Sequence, residues 1–124
     1  MEYLTIAIQI FVALGILNVW TLRFGKQTQY RGGNAKNMKE EFSNYSLPPA
    51  VMTIVGILKI GCAIALLIGI FIPQTILPAT SLLGILMVGA IAMHLKIKDS
   101  LQKSLPAACM LILCGYLVYA SFAT

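Results

Sequence analysis

Four apolar stretches, residues 3–22, 48–71, 75–95 and 104–123, occupy most of this chain, and each is long enough to cross a hydrocarbon layer as a helix. A helix rises about 1.5 Å per residue, so roughly 20 residues reach across a core about 30 Å thick. No water is present there to satisfy backbone groups, and the helix is the form in which each stretch pairs its own N–H and C=O groups. Composition agrees: 59% of the residues are hydrophobic and 10% charged, with a mean hydropathy of +0.87. A water-soluble domain carries about 25% charged residues. The expected fold is therefore all-α, a four-transmembrane-helix bundle with one short amphipathic helix in the first loop. The 124 residues leave no room for a separate soluble domain, so 1–124 reads as a single integral membrane domain.

The first stretch is interrupted only by Thr5, Gln9, Asn18 and Thr21, and it closes on Trp20, Arg23 and Lys26, an aromatic residue and cations as at a membrane interface. It lacks a preceding basic segment and is too long for a signal-peptide core, so it is expected to stay as a helix. Residues 23–47 turn polar and basic around Gly32-Gly33. Within them Asn34 is expected to cap a short helix over 35–42, whose Met38 and Phe42 form one apolar edge able to lie on the membrane surface. Pro48-Pro49 opens the second stretch, Pro73 forces a turn, His94, Lys96 and Lys98 close the third, and Pro106 sits in the first turn of the fourth. Arg23, Lys26, Arg31, Lys36 and Lys39 lie between the first two stretches and Lys96, Lys98 and Lys103 between the last two, while the 72–74 turn carries no cation. The positive-inside bias then predicts a cytoplasmic 23–47 loop and extracytoplasmic termini. The net charge of +5 is accounted for by anionic membrane lipids, which makes those lipids the expected partners and leaves nothing that calls for a nucleic acid.

One residue departs from the apolar pattern. Lys59 lies about eleven residues into the second stretch, near mid-membrane, where a cation costs about 2.5–3.5 kcal/mol on insertion scales. No acidic residue lies within any of the four stretches, so the candidate partners at similar depth are Tyr116, Thr80 and Ser81. Lys59 with Tyr116 forms one candidate site, either functional or a structurally accommodated amine. Asn18, Trp20, Arg23 and His94 fall at one membrane boundary and form a second, interfacial polar cluster, or His94 serves as a hydrogen-bonded anchor there. Small residues recur at Gly61, Ala65 and Gly69 and at Thr80, Gly84 and Val88, faces suited to close helix packing within the chain, against a second copy or against a membrane-protein partner. Cys62, Cys109 and Cys114 sit in apolar surroundings without the spacing of a metal or redox motif and read as small packing residues. There is no second histidine, no H-E-x-x-H, no phosphate-binding glycine loop and no serine, histidine and acid at one depth. An independent enzyme is not expected, and neither a catalytic residue nor a metal ligand can be named.

The segments Tyr30-Arg31-Gly32-Gly33-Asn34-Ala35-Lys36-Asn37-Met38-Lys39-Glu40-Glu41-Phe42, Leu47-Pro48-Pro49, Gly56-Ile57-Leu58-Lys59, Met93-His94-Leu95-Lys96 before Lys98-Asp99, and Leu105-Pro106-Ala107 resemble the DoxX-like family, with the likeness running through nearly the whole chain. The resemblance implies a four-helix protein of the bacterial inner membrane. It also implies three kinds of role: a noncatalytic partner-binding or assembly module like the family's receptor-chaperone branch, a membrane subunit of a quinone-linked oxidoreductase, or a carrier of small solutes or lipids. A quinone is the one cofactor it brings into view. Many members carry a carboxylate where this chain has Lys59.

Overall fold

In the computed structural model, which describes residues 3–123, each apolar stretch is a helix whose ends fall where the chain withdraws a backbone donor or turns polar. Helix α1 (Tyr3–Leu17) passes without a break into a single π turn, Asn18–Leu22; α2 (Met38–Asn44) is short; α3 (Pro49–Ile68), α4 (Ile76–Lys96) and α5 (Leu105–Ala123) are long. Pro49 starts α3 at a position where its missing N–H would have no helical partner, and short 3-10 turns at Pro73–Thr75 and Leu101–Ser104 lead into α4 and α5. Four helices are long and apolar enough to cross a membrane, and no strand occurs among the described residues. The protein is a multi-pass, four-transmembrane-helix bundle.

The helices close into a ring in the order α1, α3, α4, α5, with α4 against α5 the most extensive pairing. Val12, Ala13, Ala63, Leu66, Leu83 and Leu117 are fully buried at its centre. Phe11, Ile57, Ile85 and Ile112 are 62%, 66%, 68% and 70% exposed, a density of outward apolar side chains that suits acyl chains and not water. Lipid offers these helices no hydrophobic drive to associate, so directed bonds contribute to their register. Gln9 Nε2 donates to the Leu66 carbonyl at 3.2 Å, tying α1 to α3, while its Oε1 has no partner among the described residues. At the end of the bundle remote from the 23–48 loop, the Thr5 and Tyr116 hydroxyls lie 3.3 Å apart and join α1 to α5.

Three expectations change. The cap of the short helix is Asn37, which is extended (φ −159°) and accepts from Glu40 N at 2.8 Å, so the helix starts at Met38 and Asn34 stays in the preceding turn. The apolar edge of that helix is turned into the protein and not left free for a membrane surface: Met38 and Phe42 are buried, and Phe42 packs edge-on against Trp20 with ring centroids 5.9 Å apart. The small-residue faces pack closely only in part: Gly69 and Thr80 are buried, and a Cβ at Gly69 would fall 2.6 Å from Ile76 Cγ1, but the rest of each face is more open. A Cβ at Gly61 would meet nothing within 4 Å, one at Gly84 only Leu111 at 3.9 Å, and Gly61 and Val88 are exposed. Cys62 and Cys114 are buried, whereas Cys109 is exposed.

Candidate functional site

The π turn ending α1 sets the site. Thr21 hydroxyl bonds back to the Leu17 carbonyl, competing with the backbone ladder, and the widened turn places Trp20 inward where it is 7% exposed. Trp20 lies on α3 at Gly56, where a Cβ would come within 2.9 Å of the ring atoms Cε3 and Cζ3. One turn further along α3, Lys59 leans back so that its Nζ stands 5.3 Å from the Trp20 ring centroid, a cation–π contact. The direction follows from helix geometry, since side chains lean toward the helix N-terminus, here toward the loop end of the bundle.

The loop supplies the remaining groups. Arg31, 4% exposed, gathers it from within: Nε donates to Lys26 O at 3.0 Å, Nη2 to Phe24 O at 3.2 Å and to Arg23 O, and Nη1 pairs with Glu41 Oε1 at 3.0 Å. The other oxygen of Glu41 accepts from the Tyr45 hydroxyl at 2.7 Å. The Tyr45 hydroxyl is 3.4 Å from His94 Nε2, the two rings meet edge to face, and His94 Nδ1 is 2.7 Å from Asp99 Oδ2. Asp99 in turn accepts from Gly33 N at 3.1 Å and lies 3.7 Å from Lys103 Nζ, which also donates to the Gly33 carbonyl. Lys96 Nζ donates to Tyr45 O at 2.9 Å. A polar chain thus runs from Arg31 through Glu41, Tyr45, His94 and Asp99 to Lys103, joining the loop to α4 and to the Leu101–Ser104 turn that leads into α5. Two glycines make it sterically feasible: a Cβ at Gly32 would sit 2.5 Å from the Tyr45 ring, and Gly33 has φ +61°.

Charge is balanced along this chain. Burial first, then the charge and hydrogen bond of Glu41, push the Tyr45 phenol far above its ordinary range, so it stays protonated and donates. Burial alone would raise the Asp99 carboxyl; the His94 and Gly33 hydrogen bonds and the Lys103 charge outweigh it and hold the group below its ordinary 3.8.

Between the polar chain and the helices lies a cavity of about 920 Å³, within the size range of small-molecule sites. Its walls are apolar where α1, α3, α4 and α5 contribute Ile16, Val55, Ile85 and Met110, and polar where Arg31, Glu41, Tyr45 and His94 face it. Trp20, Arg23, Lys59 and His94 all line it. Asn18, Tyr116, Thr80 and Ser81, all named from sequence, stand outside its lining. Asn18 is half-buried and outside the lining, its carbonyl accepting from Arg23 N at 2.9 Å. Tyr116 is with Thr5 near the opposite end, and Thr80 turns its hydroxyl to Ile76 O at 2.8 Å, so Lys59 takes the Trp20 face in place of the anticipated hydroxyls. Arg31, Glu41, Tyr45, Asp99 and Lys103 were not singled out by sequence. One signal was available: the chain has four acidic residues in all, and two of them, Glu41 and Asp99, hold this network.

The arrangement can enclose an apolar body at one end and offer it hydrogen-bond donors and cations at the other. Among the described residues, no group of three His, Cys, Asp or Glu side chains could hold a metal ion. Among known proteins, the family model described as the DoxX-like family matches residues 10–116. No curated protein and no solved structure matches the chain.

Proposed function

This chain belongs to the DoxX-like family, and on that premise we propose that it is a noncatalytic binding module of the bacterial inner membrane, with cytoplasmic loops and extracytoplasmic termini, whose working site is the cavity between Lys59 and His94. The observation that carries the reading is that cavity's two-ended character, about 920 Å³ with apolar helix faces meeting the Arg31–Glu41–Tyr45–His94 chain. Such a space suits a membrane-derived amphiphile, with its polar head toward the loop and its apolar part among the helices.

A quinone-linked role is the second reading. It is favoured by the His94 ring, which stands with the Tyr45 hydroxyl on the cavity wall: the phenol proton is committed to Glu41, and His94 Nε2 is the group that can bond a quinone carbonyl oxygen when it carries a proton. A quinone held there would supply electron transfer to a partner subunit. The deciding experiment is purification of the full chain in mild detergent, followed by mass spectrometry of everything retained. A stoichiometric lipid or quinone supports the cavity reading and chooses between its forms. A stoichiometric membrane protein, with no small molecule, would replace it with an assembly role.

A further inference from the structure

We propose that the cavity's ligand is an amphiphilic anion, a carboxylate or phosphate head on an apolar chain, whose head is seated against Lys59 over the Trp20 ring. The inference rests on the cavity reading above and specifies the chemistry of its occupant.

Four cations line the cavity: Arg23, Arg31, Lys59 and Lys103. Two are neutralised, Arg31 by Glu41 at 3.0 Å and Lys103 by Asp99 at 3.7 Å. Among the described residues, the Lys59 and Arg23 side chains have no carboxylate partner and no hydrogen-bond acceptor. Nor can a nearby acid be recruited without breaking the loop. Both oxygens of Glu41 are engaged, by Arg31 and by Tyr45, and both oxygens of Asp99 are engaged, by Gly33 N–H and by His94. Arg23 is exposed and can be hydrated. Lys59 is set deeper, within a membrane-spanning helix, and its one marked contact is the face of Trp20. A ring face orients an ammonium but satisfies none of its three N–H donors with an acceptor.

A cation in this setting calls for an anion from outside the chain. The surrounding wall excludes a small hydrated ion as the best occupant, because Ile16, Val55, Ile85 and Met110 leave a long apolar face beside it. An anionic head with an attached chain covers both features at once. A neutral quinone would leave the ammonium uncompensated, which separates this ligand class from the second reading above.

The test uses the full chain in a nonionic detergent at neutral pH, with affinity read by native mass spectrometry and thermal shift. The probes are oleate, lysophosphatidate and the neutral isostere oleyl alcohol. Oleate or lysophosphatidate should bind about tenfold or more tightly than the alcohol, the scale of one charge-assisted hydrogen bond; the stronger of the two anions identifies a free acid or a lipid headgroup as the source. Lys59→Met should bring anion and alcohol to parity, and Lys59→Arg should keep the preference. Equal binding of alcohol and anions to the unaltered protein would overturn the anionic head while leaving the cavity reading intact. A preference that survives in Lys59→Met would overturn Lys59 as its seat. If none of the three probes binds, the cavity reading itself fails.

Discussion

Replacing Arg31 with Met keeps the aliphatic stem and removes the guanidinium that holds the 23–48 loop together. The change deletes five donated bonds, to Glu41 at 3.0 Å, to the Lys26 carbonyl at 3.0 Å, to the Phe24 carbonyl at 3.2 Å, to Met38 Sδ at 3.4 Å and to the Arg23 carbonyl. Removing one partner of a buried ion pair costs about 3–5 kcal/mol, because the other charge is left unpaired. Glu41 is 14% exposed and keeps the Tyr45 hydroxyl at 2.7 Å, which places the expected loss near the lower end, about 3 kcal/mol. The loss should appear as local opening of the loop and α2, with the four long helices little changed. At about 1.4 kcal/mol per tenfold, amide exchange at Met38 and Tyr45 should accelerate on the order of a hundredfold, since their N–H groups bond to the Phe24 and Glu41 carbonyls within the unit that opens. Exchange at Leu66 and Leu83, at the bundle centre, is the internal control. Coupling Arg31→Met with Glu41→Leu should recover part of the loss, because the stranded carboxylate is then gone. Wild-type exchange rates at Met38 and Tyr45 in Arg31→Met would refute the reasoning.

Gly56→Ala places a methyl within 2.9 Å of the Trp20 ring, a rigid neighbour, and should lower stability by about 1–3 kcal/mol; thermal unfolding in detergent measures the loss, and the fluorescence of the chain's single tryptophan should shift as the ring moves. The Asp99 carboxyl is held below 3.8 when folded, so its pairing stabilises the protein above that value and the contribution disappears as pH falls through the lower folded value. Wild type should therefore lose melting temperature on acidification below about pH 4, while Asp99→Asn should melt lower at neutral pH and respond less to acid; parallel acid profiles for the two proteins would contradict the assignment. An alkaline phosphatase fused after Thr124, which lies outside the described residues, should be active, and a fluorescent protein at the same point should stay dark, as extracytoplasmic termini require.

The positions of the membrane helices were legible in the sequence because hydropathy is local and additive: twenty apolar residues beginning near Pro49 form a helix in lipid whatever surrounds them. Lys59 was conspicuous for the same reason, being unusual for its depth in the membrane, and Trp20, Arg23 and His94 because aromatic and basic residues mark a membrane boundary. Their partners were not legible, because those depend on which residues the bundle brings together across long separations. Tyr45 meets His94 from 49 positions away, Gly33 meets Asp99 from 66, and Tyr116 meets Thr5 from 111. Arg31 reads in sequence as one more basic residue of a positive loop; it is buried where Phe42 packs against Trp20 and where Met38 Sδ and the carbonyls of Arg23, Phe24 and Lys26 close around its guanidinium. The π turn that aims Trp20 at Gly56 has no periodic signature in an apolar run either. Hydrophobic pattern places a helix in the bilayer, but side-chain pairing depends on how helices rotate and how a loop folds onto their ends, and those are settled by packing among distant residues.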